Sequence, residues 1–370
     1  MSPFIQSLRG IFSRQPQSPK VIQERKDTIL AIFCSTLKKI REENEAHQQG
    51  GAVTNHKGHK EMVEEAGLAV ASRLHDESSP SSCRSELHDE FNPEVIQLLH
   101  LFREADTETS RTSATGDPAA VRINEEFQFE FERHNNGDIQ LKELSERKSR
   151  ALGEIEKNQD LFRMRNVALA SYLRESIGYT VQTFQSTIPN ANAGSGLFVD
   201  GEASLGSIVG FVPGEVWLKE HLGDMKTLEI FNDDPNYQLS ARYDGSLVDS
   251  RPYDTPESRI PYFLPKMKND NPWAQAHLIN HPPLGSMPNC LPIMVNFGES
   301  MEDRIRSYVP NDYAKSPTIM GTIDSSFFMY GLVFVATQDV KNEELFYDYR
   351  LNPTSPPSWY HACHDELEED

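Results

Sequence analysis

The chain reads as an α+β protein: a mainly helical N-terminal region followed by a β-rich domain of short strands. Three observations predict this. Hydrophobic residues are 37% of the 370, low for a chain folded throughout. Apolar residues recur at helical spacing in the first third, with Ile22, Ile29, Phe33, Leu37 and Ile40 on one face of 20–47. Near Ile188 glycine and proline become frequent, and short apolar runs replace the long periodic ones. The predicted organisation is a helical, partly disordered region 1–120, a charged helical region 121–187, a β-rich domain 188–352 and an acidic tail 353–370.

In order, QQGGAVTNHKGHK (48–60) breaks the first helix, and His56 and His59 there read as solvated loop residues. ESSPSSCRSELHDE (77–90) and DTETSRTSATGDPAA (106–120) read as linkers, with a short helix between them opening at Asn92-Pro93. On that pattern residues 1–165 are expected to be dispensable for the fold of the rest. GLFV (196–199) and SIVGFVPGEVW (207–217) are strand-like, the second bent at Pro213-Gly214. YQLSARYDGSLVDS (237–250) predicts a hairpin turning at Asp244-Gly245. PWAQAHLIN (272–280) predicts a short helix with Pro272 in its first turn. CLPIMVNF (290–297), FFMYGLVFVATQDV (327–340) and KNEELFYDY (341–349) predict strands, the last after a turn. Its alternation puts Leu345, Tyr347 and Tyr349 on one face, with Phe346 and Asp348 on the other.

Charge and cysteine usage narrow the function classes. Residues 1–166 carry 23 basic against 28 acidic side chains, or −5; residues 167–370 carry 13 against 28, or −15. An acidic C-terminal half disfavours direct binding to a nucleic-acid backbone and suits a Lys- or Arg-rich protein partner. No segment approaches the roughly 20 apolar residues of a membrane helix. Cys34, Cys83, Cys290 and Cys363 are widely spaced and form no CxxC pair, which fits a reducing compartment and gives no cysteine-rich zinc site. The first 23 residues hold no acid, a feature shared by transit peptides and short basic helices. The expected location is nuclear or cytoplasmic, with a mitochondrial address as the variant that this N-terminus suggests.

Candidate chemistry lies in four segments. Gly194-Ser195-Gly196 frees backbone groups for close approach to a ligand. It is not a dinucleotide fingerprint, because a strand follows where a phosphate-binding helix should start. Val212-Pro213-Gly214-Glu215 is a bent strand. In LINHPPLGSMPNC (278–290), Pro282 and Pro283 end an ordered segment and fix the polar pair Asn280-His281 at its end. Glu343-Glu344-Leu345-Phe346-Tyr347-Asp348-Tyr349 is the fourth.

Taken in this order, over about residues 165–352, the set resembles the SET-domain protein lysine methyltransferases. The resemblance implies a SET fold of several small sheets with a C-terminal pseudoknot. It also implies S-adenosylmethionine as cofactor, no metal in the reaction, and a lysine-bearing basic protein as substrate. It places Gly194, Ser195 and Gly196 at the methionine part of the cofactor and Asn280 and His281 as a pair that contacts it. Tyr349 is placed beside the transferred methyl as the catalytic residue. A silent fold that binds a peptide or assembles a complex is the alternative. The chain departs from the pattern in three places. Phe211 stands where many relatives have tyrosine. Asn342 replaces a glycine, which asparagine tolerates in a left-handed turn. No cysteine cluster follows Tyr349, so Trp359 or Tyr360 is the candidate for covering the cofactor.

Overall fold

The computed structural model describes residues 19–49, 57–74, 80–113, 168–189, 193–219, 222, 238–251, 270–298, 301–314, 329–351, 357–361 and 363. Three long helices come first: α1 (Pro19–Gln49), α2 (His59–Leu74) and α3 (Pro80–Ser113). A further helix, α4, covers residues 168–177. Ten short strands follow: β1 (Tyr179–Gln185), β2 (Ser195–Ala203), β3 (Ile208–Phe211), β4 (Gly214–Trp217), β5 (Leu239–Ala241), β6 (Leu247–Asp249), β7 (Cys290–Phe297), β8 (Asn311–Tyr313), β9 (Met329–Ala336) and β10 (Val340–Lys341). The class is α+β, with helices set against small, mostly antiparallel sheets. Among the described residues no helix is long and apolar enough to cross a membrane.

The strands form three sheets, ordered β1-β2-β10, β3-β9-β7 and β5-β6-β4-β8. In the first, Tyr179 faces Gly201 and Gln185 faces Ser195. In the second, β9 is central, with Cys290 opposite Ala336 and Phe297 opposite Met329. In the third, β4 pairs antiparallel with β6 and parallel with β8. The predicted hairpin is present, and Gly245 takes φ +93 at its turn. Arg242, 2% exposed, fastens this hairpin to the central sheet. Its guanidinium reaches Asp244 and the carbonyls of Gly331 and Val295, and lies 4.8 Å from the Tyr330 ring centre.

Helices and sheets share one core. Ile29 and Ile32 of α1 and Phe91, Val95, Leu99 and Phe102 of α3 belong to the same buried cluster as Phe211, Val333, Phe334 and Val335. The Phe102 ring meets Phe211 at 5.9 Å and Trp273 at 5.2 Å, both edge-on, a favoured aromatic geometry. Trp273 is fully buried, and its indole N–H donates to Thr180 at 3.0 Å.

Several expectations change. The boundary expected at 188 falls after a strand, because β1 begins at Tyr179 and pairs along its length with β2. Much of the expected linker 77–90 is helix, and so is 106–113. Composition misled there: Pro80 stands in the first turn of α3, where a missing N–H costs little. Pro93 lies inside the same helix. It forfeits one backbone bond, but Phe91 and Val95 on either side are fully buried, and packing decides. His59 lies at the exposed start of α2, while His56 is outside the described residues. In 272–280 the helix is a single 3-10 turn, Ala276–Leu278. Residues 341–349 add only Lys341 to β10 and otherwise pair through the isolated bridges Phe198–Glu344 and Asn280–Phe346. The basic N-terminus and most of 121–187 lie outside the described residues.

The shared core reverses the expectation that residues 1–165 are dispensable. A chain beginning at Asn166 loses the apolar faces of α1 and α3, and is expected to aggregate or melt without a cooperative transition by calorimetry. A soluble fragment with a sharp transition would contradict this. In the full chain, Phe102→Ala should cost about 3–5 kcal/mol in urea unfolding.

Candidate functional site

The site is built where β1 turns into β2 and the segment 344–349 comes alongside. Gly194 takes φ +61, and a Cβ there would meet no atom within 4 Å. Its carbonyl accepts the Ser186 amide at 3.0 Å and the Gln185 side chain at 2.8 Å. Gly196 is required for a different reason. A Cβ at that position would lie 2.0 Å from Glu344 Oε1. The glycine therefore lets a carboxyl group come up against the strand.

Glu344 is 3% exposed and is satisfied by hydrogen bonds rather than by a cation. Oε1 accepts from Ser186 Oγ at 2.7 Å and from Asn280 Nδ2 at 3.1 Å; Oε2 accepts from the Thr187 amide at 2.6 Å and its hydroxyl at 2.5 Å. Asn280 Nδ2 also donates to the Ser195 carbonyl at 3.0 Å. Three of the segments read from the sequence thus meet in one network: Gly194-Ser195-Gly196, Asn280 and the acidic-aromatic segment. Glu344 and its partners Ser186 and Thr187 were not singled out as site residues. The doubled Glu343-Glu344 was the available signal, but nothing local says which of the two turns inward.

The segment is held on both sides. The Tyr347 amide donates to the Asn280 carbonyl at 3.0 Å, and the Leu345 amide to Leu197 at 2.8 Å. Opposite, the Asn289 amide reaches the Phe346 carbonyl at 3.0 Å. The Asn289 side chain donates to the Glu344 carbonyl and accepts the Phe346 amide, each at 2.8 Å. Asn342 takes φ +49 at the entry, as expected for asparagine, and accepts the Gly201 amide at 2.9 Å.

His281 and Tyr349 lie side by side, ring centres 5.5 Å apart. Tyr349 donates its hydroxyl to the Ile279 carbonyl at 3.1 Å. Burial pushes its pKa up to about 12, so the hydroxyl keeps its proton at neutral pH. His281 is 5% exposed. One ring nitrogen pairs with the His361 carbonyl at 2.8 Å, and the other accepts the Tyr349 amide at 3.3 Å. Burial holds His281 below the usual imidazole value, against the opposing pull of the His361 carbonyl and Asp348. The Tyr360 ring lies tilted over His281 at 4.7 Å, His361 meets it edge-on at 4.8 Å, and Trp359 lies 6.3 Å away. The tail aromatics therefore cover the His281–Tyr349 pair.

Ligand atoms of His281, His361 and Cys363 lie within 4.8 Å of one another. Both His281 nitrogens face backbone groups, and burial with Asp348 pushes the Cys363 thiol up to about 11. A cation there would have to break the His281–His361 bond, so this donor set is arranged as packing rather than as a preformed metal cage.

No protein-family model matches the chain, and no curated protein matches it. Solved structures do. A structure of ctPRC2 in an autoinhibited conformation bound to S-adenosylmethionine matches with 18% identity and a TM-score of 0.26, over 48% of this chain and 16% of that one. Apo ctPRC2 in an autoinhibited state gives 17% and 0.25 over the same shares. CpSET8 from Cryptosporidium gives 15% and 0.27, over 50% of this chain and 65% of that one. At these identities and TM-scores the likenesses carry no functional weight.

Gly196→Ala should destabilise the chain by about 1–3 kcal/mol through the clash with Glu344. In a double-mutant cycle with Glu344→Ala the two losses should fall short of additive by at least about 0.5 kcal/mol. Strict additivity would show that the carboxyl group does not occupy that space. His281 also gives a pH signature. Its folded pKa lies below the ordinary 6.5, so its contribution is complete above that value. It is lost as pH falls, because the unfolded chain takes up the proton first. The urea midpoint advantage of wild type over His281→Gln should therefore shrink between pH 7.5 and pH 5.5. A constant gap would mean that His281 is not buried in its neutral form.

Proposed function

We propose that the chain is an S-adenosylmethionine-dependent methyltransferase of the SET type, acting on a lysine side chain in a basic protein segment. One observation carries the reading: the segment Glu344–Tyr349 runs between Asn280 and Asn289-Cys290 with hydrogen bonds to both sides. That arrangement supports the threaded, pseudoknot-like topology the motif order implies. It also gathers Gly194-Ser195-Gly196, Asn280, His281 and Tyr349. Within the family, Pro213-Gly214 and the helical N-terminal region resemble the group called SET domain-containing protein 9.

The residues suit the cofactor. Open space beside Gly194 and a Ser195 carbonyl fixed by Asn280 offer backbone groups to the amino-acid end of such a ligand. S-adenosylmethionine supplies a methyl group on a sulfonium, transferred in line to a neutral amine. The chain must supply alignment and dryness. Tyr349, held by its bond to the Ile279 carbonyl, presents a neutral hydroxyl that orients without adding charge. Tyr347, Tyr349 and Tyr360 line the site with ring surface. Desolvation lowers the pKa of a lysine ammonium, so a dry site favours the attacking form. The −15 charge of residues 167–370 attracts a basic partner, and a nuclear or cytoplasmic location suits such a substrate.

A silent fold is the second reading. Phe211 offers no hydroxyl, and its 1% exposed ring packs against Phe102 of α3, so this position serves the core. Calorimetric titration with S-adenosylmethionine and S-adenosylhomocysteine, followed by tritiated methyl transfer to lysine-rich protein, separates the two. Micromolar binding with transfer supports the enzyme; binding of neither ligand removes it. Tyr349→Phe should keep cofactor affinity and lower turnover by about 10²–10⁴. A variant within about twofold of wild type would take Tyr349 out of the mechanism.

A further inference from the structure

The residue that follows Tyr349 is bound by a residue of the N-terminal helix that no motif of the β-rich domain contains. Arg350, the next residue, takes φ +50. A left-handed conformation at a non-glycine residue is unfavourable and persists where its surroundings impose it. The surroundings are identifiable. The Arg350 amide donates to Asp348 Oδ1 at 3.0 Å, and the Tyr360 hydroxyl donates to the same oxygen at 3.1 Å. The Arg350 guanidinium grips Asp27 of α1 with two bonds, Nη1 to Oδ2 and Nη2 to Oδ1, the latter 2.8 Å. Tyr243, in the β5–β6 turn, donates to Asp27 Oδ2 and accepts from Arg350 Nη1 at 3.0 Å. Gln23, one turn earlier on α1, donates to Asp27 Oδ1 at 3.0 Å.

Asp27 is 5% exposed. A carboxyl group this buried is retained in a core when its partners are specific, and a two-point guanidinium contact fixes orientation as well as distance. Burial opposes the Arg350 charge, and Asp27 together with Tyr243 and Asp348 more than offsets it. The clamp joins residues far apart in sequence, one on α1 and one next to Tyr349. By contrast, the ligand-facing groups at 194–196 and 280 are fixed by the Glu344 network, which Asp27 does not touch.

We propose that Asp27 is a positioning residue for Tyr349. By holding Arg350 in its left-handed conformation, α1 sets the direction in which the Tyr349 hydroxyl points. The N-terminal helix thus completes the active centre in addition to filling the core. The inference rests on the methyltransferase reading of the site.

The test uses the full chain with Asp27→Asn and Asp27→Glu. Asp27→Asn keeps the size of the side chain but weakens the two-point grip. Turnover at saturating cofactor should fall by about 10- to 100-fold, the scale of a small misplacement of a reacting group. Calorimetric Kd for S-adenosylmethionine should stay within about twofold, and Asp27→Glu should recover part of the turnover. Amide exchange at Tyr349 and Arg350 should quicken in Asp27→Asn, with exchange in β7 and β9 unchanged. Unchanged turnover, or unchanged exchange at those two amides, would overturn the proposal. Turnover and cofactor affinity falling together with the melting temperature would also overturn it, reducing the clamp to a general stability contact. A wild-type chain that binds no cofactor defeats the methyltransferase reading instead, and the exchange data still decide whether Asp27 holds this backbone.

Discussion

Asn289 donates its side-chain amide to the Glu344 carbonyl, accepts the Phe346 amide, and sends its own backbone N–H to the Phe346 carbonyl. Together with the Asn280–Tyr347 bond, these contacts pin a short segment that belongs to no regular sheet. Buried backbone groups must find partners somewhere. Here two asparagines from either side of the Pro282–Pro288 turn provide much of what a neighbouring strand would otherwise supply. The consequences spread outward. Glu344 is brought beneath Gly196, Tyr349 beside His281, and Arg350 within reach of α1.

The same constraint explains why the helices and the β-rich part do not behave as separate units. The segment ends at Arg350, whose partner is on α1, and α1 and α3 lend their apolar faces to the central sheet. Breaking the core contact at Phe102 and breaking the clamp at Asp27 are different perturbations. One removes apolar burial, and the other frees a local backbone conformation.

Much of the β-rich part was legible because its signals are local. Asp244-Gly245 between alternating residues gives a hairpin, and Asn342 tolerates the left-handed turn its position demands. The order of the motifs singled out Asn280, His281 and Tyr349, and in the structure these residues lie close together. Of the helix over 80–113 only the part opening at Asn92-Pro93 is legible, because serine, threonine and proline content at either end outweighs buried positions such as Leu87 and Phe91. Start and core signals compete there, and packing prevails. Glu344 is visible in the sequence only as one of a doubled acid, and Asp27 only as one acidic residue among many. The contacts of each arise where distant segments meet, Glu344 against Gly196 and Asp27 against Arg350.

Contacts on both sides of residues 344–347 hold the site together, and under the proposed function a cofactor closes on it. Residue-resolved hydrogen exchange tests this most directly. The amides of Leu345, Phe346 and Tyr347 should exchange as slowly as those of β9, and S-adenosylhomocysteine should slow the Ser195, Gly196 and Tyr347 amides further. Loop-like exchange at 345–347, with no change on adding S-adenosylhomocysteine, would contradict the account.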